Sequence, residues 1–145
     1  VAASACGDDD HGGHGSSGGG GNATACEKDT RKDLYTAGLS KQAGDLTVKI
    51  MDATPAPPTK GTNVMTLEIA DAAGPLAGAT VNVLPFMPDH GHGSAVTPVV
   101  TDMGGGKYQV DKVYLAMAGL WRITVSVQKP GAAPQEVAFA FCLEG

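Results

Sequence analysis

The chain has 145 residues, of which 42% are hydrophobic and 17% charged, and its 10 Lys and Arg against 15 Asp and Glu give a net charge of −5. This length is typical of one domain. The acidic balance and the lack of a Lys/Arg cluster exclude a nucleic-acid-binding face. No apolar stretch of 18 residues occurs that could span a membrane.

The first six residues resemble the end of a bacterial lipoprotein signal, the lipobox. Small residues at positions 3–5 precede Cys6, and a small-residue cleavage site is typical of a secretory signal. We therefore expect residues 1–6 to be a signal-peptide remnant and Cys6 to be the lipidated first residue of the mature protein. That lipid would be the only membrane contact. The alternative is an unstructured N-terminus with a free thiol.

Residues 7–22 are almost entirely glycine and small polar residues. Such a segment has too little apolar surface to offset the entropy lost on ordering, so we expect a disordered tether. His11 and His14 lie in this segment beside three aspartates. We interpret them as part of a solvated linker, with loose metal binding as the alternative.

Residues 23–44 form a segment that we call the strap. Acidic and basic residues follow one another at helical spacing between Cys26 and Leu34, and Gly38 could end a helix. This pattern predicts a short helix or turn leading into the folded domain.

From residue 45 to residue 145, apolar residues alternate with polar ones, which is the pattern of half-buried strands. The strand candidates are 46–50, 65–69, 80–83, 107–111, 121–128 and 137–141. Turn-forming clusters separate them at 71–75, 102–106 and 129–131. The sequence therefore predicts an all-β fold, an antiparallel sandwich of immunoglobulin-like architecture with about seven strands.

The three cysteines are an odd number, so one is expected to stay unpaired in an oxidising compartment. If Cys6 carries lipid, Cys26 and Cys142 remain to form a disulfide between the strap and the last strand. Cys142 shares strand parity with Glu136, opposite to Phe139 and Phe141, and should point away from the core. The alternative is two buried thiols in a reducing cytosol.

The segment from Met87 to Gly93, which we call the histidine loop, is the strongest candidate for a metal site. His90 and His92 lie two residues apart, so their rings would share one side of an extended segment. Imidazole accepts copper or zinc, and thioether favours Cu(I), so Met87, His90 and His92 suit copper, or zinc in its place. Met117 could come from a neighbouring loop as a further ligand. The alternatives are a structural turn or a protein-contact loop.

Several sequence segments occur together in the order of the YtkA-like or FixH-like domain family, which the chain resembles over residues 45–142. They are Gly61-Thr62-Asn63, residues 71–79, residues 87–93, Gly106-Lys107-Tyr108 and residues 117–121. The resemblance implies an immunoglobulin-like sandwich outside the cytoplasm. Relatives occur as small lipoproteins, in metal-efflux systems and near cytochrome oxidase assembly. In many of them a methionine occupies the position of His90, so the loop here is richer in nitrogen and shifted toward Cu(II) or Zn(II).

We therefore expect a periplasm-facing lipoprotein of the bacterial cell envelope that binds copper, or zinc, through Met87, His90, His92 and Met117. Its role would be carrying or sensing metal in homeostasis or oxidase assembly, with an envelope protein of such a system as partner. No nucleophile elbow, phosphate-binding loop or His-Glu-x-x-His motif occurs, so we expect no enzyme activity. The alternative is a metal-free immunoglobulin-like module that contacts a protein on the envelope.

Overall fold

A computed structural model describes residues 26–145. The predicted lipidation at Cys6, the signal remnant at 1–6 and the tether at 7–22 lie outside the described residues. Within residues 26–145, no helix is long and apolar enough to cross a membrane.

Over residues 26–145, ten antiparallel strands form two sheets that face each other across one core. They are β1 (Leu39–Ala43), β2 (Leu46–Thr54), β3 (Gly61–Asp71), β4 (Gly74–Pro75), β5 (Thr80–Met87), β6 (His92–Gly93), β7 (Val99–Gly104), β8 (Lys107–Leu115), β9 (Gly119–Gln128) and β10 (Gln135–Leu143). Sheet A has the order β1-β2-β3-β8-β7, with β4 beside β3, and sheet B has the order β10-β9-β5-β6. The predicted antiparallel β-sandwich is confirmed.

The core is built from the alternating residues that the sequence pattern identified. Each long strand buries every second side chain, as in β9, where Trp121, Ile123 and Val125 are at most 1% exposed. Trp121, Tyr108 and Phe139 are the largest of the fully buried side chains. The histidine loop runs from the end of β5 through β6, which is an edge strand of sheet B.

The two-residue strands β4 and β6 were not predicted, and two longer strands, β1 and β7, were missed because they lie at the edges of sheet A. β1 lies in the predicted strap, and β7 overlaps the turn predicted at 102–106. Neither strand has a buried side chain, so neither carries the apolar alternation that indicates a strand. The turn itself is shorter than predicted. Gly105 and Gly106, both with positive φ, connect β7 to β8 in a two-residue hairpin.

The described part of the strap before β1 contains turns and extended chain, with no helix. The disulfide between Cys26 and Cys142 is confirmed, with their Cα atoms 5.5 Å apart. The amide of Asp33 donates to the carbonyl of Ala140 at 2.6 Å, and the Asp33 carboxylate accepts the Ala140 amide at 2.8 Å. The strap therefore covers the outer edge of β10, whose backbone groups would otherwise be open to another strand.

Candidate metal site

The histidine loop forms a compact turn that folds back on β5. The Met87 carbonyl accepts the amides of His90 at 3.2 Å and Gly91 at 2.9 Å. Gly91 has φ +68°, a left-handed conformation that glycine adopts without a steric cost. β6 then pairs with the end of β5, so that His92 lies opposite Met87. Residues 88–91 thus form a turn, whereas the prediction from spacing considers the two rings in an extended segment.

The two histidines of the loop nevertheless lie side by side. Their ring centroids are 5.8 Å apart, with the planes inclined by 68°, and both residues are exposed. Two imidazoles that bind one ion through bonds of about 2.0 Å have centroids roughly 5 to 6 Å apart. The observed separation lies within this range.

The tautomer of His92 is set by its own backbone. His92 Nδ1 lies 3.1 Å from the carbonyl oxygen of Gly93. A carbonyl can only accept a hydrogen bond, so this contact favours the tautomer with the proton on Nδ1, which leaves Nε2 of the neutral ring for a metal. Metal-binding histidines are generally oriented in this way, by a hydrogen bond from the ring nitrogen that does not bind the metal.

Trp121 connects the histidine loop to the loop that carries Met117. The His92 and Trp121 ring centroids are 6.1 Å apart. The Trp121 indole Nε1 donates to the Met117 carbonyl at 2.9 Å. Met117, in the turn between β8 and β9, is 37% exposed. The structure thus brings the loops of His90, His92 and Met117 together around one indole.

Unlike the other three predicted ligands, Met87 lies in the protein core. Its side chain is fully buried, and a Cβ atom built on Gly119 would lie 2.7 Å from Met87 Cε. Its thioether is therefore packed beneath the turn that starts β9. Ligation by Met87 would require that turn to move.

Arg31 is a residue beside the site that the sequence did not indicate. Its Nη2 lies 3.0 and 2.9 Å from the two carboxylate oxygens of Asp89 in the histidine loop. It also binds Asp29, and the hydrogen bonds from Arg31 lower the pKa of Asp29 to about 2. The same two carboxylates, Asp29 first and then Asp89, raise the pKa of Arg31. Arg31 and Asp89 are 58 residues apart, so no local pattern could reveal this contact.

The donor set fits a copper ion better than a hard cation. Within residues 26–145, no three His, Cys, Asp or Glu side chains converge on a point that could hold a metal. The soft and borderline donors on the two loops are the imidazoles of His90 and His92 and the thioether of Met117. That combination of nitrogen and soft sulfur suits copper, and zinc through the imidazoles.

The solved structures to which this chain is similar are distant in sequence. A DUF4426 family protein from Pseudomonas aeruginosa PAO1 is 16% identical with a TM-score of 0.53, over 73% of this chain and 96% of that one. A copper-bound variant of FetP from uropathogenic Escherichia coli is 15% identical with a TM-score of 0.49, over 77% of this chain and 97% of that one. FetP as isolated gives the same identity and TM-score, over 77% and 96%.

No curated protein matches the sequence. A family model described as YtkA-like matches residues 40–126, more than half of the chain. The match begins in β1 and ends within β9, so it includes the histidine loop and the turn that carries Met117. The chain belongs to the YtkA-like family.

Proposed function

We propose that this protein is an extracytoplasmic lipoprotein, anchored through Cys6, that binds one copper ion, or zinc in its place, without catalysing a reaction. His90, His92 and Met117 supply the ligands, and Met87 supports the site from the core. The protein carries or senses metal in homeostasis or oxidase assembly and exchanges it with an envelope protein.

The observation that carries this proposal is the packing around Trp121. His92 contacts the indole, His90 lies 5.8 Å from His92 between ring centroids, and the indole Nε1 holds the carbonyl of Met117. Three side chains with copper-binding chemistry therefore come from two loops that one rigid residue connects. Holding the two loops together before the ion arrives lowers the entropy that binding must overcome.

The disulfide supports a location outside the cytoplasm. The Cys26–Cys142 bridge is a bond that persists in oxidising compartments and is rare in the cytosol. It leaves Cys6 as the remaining cysteine, as lipidation requires.

Equilibrium dialysis of the full chain with Cu(I), Cu(II) and Zn(II) tests the metal site. We expect one ion that is lost in the His90→Ala plus His92→Ala variant. The matched control is His11→Ala plus His14→Ala, which removes two histidines from the predicted tether and should retain that ion. Equal stoichiometry in parent and His90/His92 variant would overturn the proposal.

A second candidate function is a metal-free interaction module. A shallow cavity of about 430 Å³ adjoins the histidine loop and is lined by residues including Leu84, Gly93, Val96 and Arg122. Leu84 is 55% exposed there, and an exposed apolar side chain beside a cavity is a feature of contact surfaces. This function predicts that dialysis finds no ion that depends on His90 and His92.

A further inference from the structure

Asp89 is the one carboxylate inside the histidine loop, and it faces the strap. It directly precedes His90 in the chain, yet both of its oxygens are within 3.0 Å of Arg31 Nη2. Asp89 is thus the carboxylate nearest to His90 in the sequence, and it becomes a candidate ligand for a metal there only when it leaves Arg31. The ion pair with Arg31 directs that carboxylate elsewhere.

We propose that Arg31 is a specificity-determining residue that withholds the Asp89 carboxylate from the metal site and thereby disfavours Zn(II) relative to Cu(I). This inference rests on the proposed function. It assigns to the strap, which is outside the histidine loop, control over which metal binds.

The chemistry of the donors gives the direction of this effect. Zinc is bound by histidine and carboxylate ligands, whereas a thioether is a soft ligand that selects Cu(I). With Asp89 bound to Arg31, the remaining donors are two imidazoles and a thioether, all uncharged. A dication gains more than a monocation from an added carboxylate and loses more from a nearby guanidinium, because both interactions scale with the charge of the ion.

Arg31 is held in place by contacts on both sides. The Asp29 carboxylate accepts hydrogen bonds from the Arg31 amide at 2.8 Å, from Nε at 3.0 Å and from Nη2 at 2.6 Å. The disulfide at Cys26 and the pairing of Asp33 with Ala140 fix the strap before and after this turn. The guanidinium is therefore oriented before it meets Asp89, which reduces the entropy cost of the ion pair.

The test compares Zn(II) and Cu(I) affinities of the full chain and its variants by competition with a chromophoric chelator. The first variant is Arg31→Gln. The control is Lys28→Gln, which removes one positive charge from an exposed position of the same strap. Affinities are referenced to the His90→Ala plus His92→Ala variant, so that binding by His11, His14 or Cys6 is subtracted. Far-UV circular dichroism verifies that each variant is folded.

We expect Arg31→Gln to tighten Zn(II) binding about fivefold, the upper effect of breaking an exposed ion pair, with a smaller change for Cu(I). Adding Asp89→Asn should return Zn(II) binding to the parent level or below, because the released carboxylate is then gone. Lys28→Gln should leave the ratio of the two affinities unchanged.

The outcomes separate this inference from the proposed function. If the parent binds Cu(I) but Arg31→Gln leaves the ratio of Zn(II) to Cu(I) affinity unchanged, the inference is overturned and the copper site stands. If adding Asp89→Asn to Arg31→Gln does not reverse the gain in Zn(II) affinity, Arg31 acts through its charge alone. The proposal that Arg31 withholds Asp89 is then overturned. If the parent binds neither ion but Arg31→Gln gains Zn(II), the inference stands and the copper function falls. Absence of loop-dependent metal in all variants overturns both.

Discussion

The imidazole of His92 lies edge-on to the indole of Trp121, with ring centroids 6.1 Å apart and planes inclined by 76°. Trp121 is the single tryptophan of the chain, and it is fully buried. Its intrinsic fluorescence therefore comes from one place, directly behind the proposed metal site. Metal binding or a conformational change in the histidine loop can therefore be followed by Trp121 emission, without an added label.

We expect Cu(II) to quench this fluorescence in the parent protein, because a paramagnetic ion held by His92 would lie close to the excited indole. Zn(II), a d¹⁰ ion without redox chemistry, should quench far less at equal occupancy. Titration followed by emission intensity measures both effects. His92→Ala should remove the saturable part of the Cu(II) quenching, whereas His11→Ala plus His14→Ala should retain it. Identical quenching curves in the parent and His92→Ala would show that copper binds elsewhere.

The disulfide should contribute strongly to stability. It closes a loop with a sequence separation of 116 residues, and on the chain-entropy model this stabilises by about 4 to 5 kcal/mol. We expect Cys26→Ser plus Cys142→Ser to lower the free energy of unfolding by about 3 to 5 kcal/mol. Chemical denaturation of both proteins measures the difference.

Cys6→Ser is the matched control for that experiment, since it replaces a cysteine that is not part of the bridge. It should leave the free energy of unfolding unchanged. A double Cys26/Cys142 variant as stable as the parent would mean that the strap contributes little to holding β10 in place.

The sequence was sufficient to predict the sandwich, because burial on one face of each central strand leaves a period-2 pattern. The strands with that pattern, such as β9 with Trp121, were all predicted. β1 and β7 were missed because neither edge strand has a fully buried side chain and neither needs a strict apolar alternation. The parity of Cys142 with Glu136 placed its side chain on the outer face of β10, and the bridge to Cys26 confirms it.

Only the contacts between residues close in sequence could be predicted for the candidate site. Proximity of His90 and His92 follows from their spacing, but the orientation of the rings depends on the hydrogen bonds to the Met87 carbonyl. The burial of Met87 depends on Gly119, which is 32 positions away in the chain. The pairing of Arg31 with Asp89 depends on the docking of the strap. These contacts are set by tertiary structure, and a single sequence carries no pattern for them.

Gly105 and Gly106, in the hairpin between β7 and β8, allow a direct comparison of two glycine-to-alanine substitutions. Both have positive φ, but a Cβ on Gly105 would meet open space, whereas one on Gly106 would lie 2.7 Å from the Ile69 carbonyl oxygen and 3.1 Å from the Leu76 amide. We expect Gly105→Ala to cost about 1 kcal/mol, from backbone strain alone. Gly106→Ala should cost about 3 kcal/mol, because backbone atoms of β3 must also shift. Urea denaturation of the two variants measures the difference, and equal losses would contradict the close packing.

The Asp102 carboxylate, at the end of β7, should make stability depend on pH in the acidic range. It accepts the amides of Gly104 at 2.8 Å and Gly78 at 2.9 Å, and these hydrogen bonds lower its pKa below 3.8. Because the folded pKa is below the unfolded one, the ionised group stabilises the fold above about pH 3.8, and this contribution is lost as the pH falls through the folded pKa. Thermal unfolding between pH 5 and pH 2 of the parent and Asp102→Asn should therefore show a shallower fall in Tm for the variant. The control is Asp52→Asn, at an exposed position on β2, which should keep the parent's slope of Tm against pH. Equal slopes for all three proteins would show that the Asp102 hydrogen bonds do not favour the ionised form.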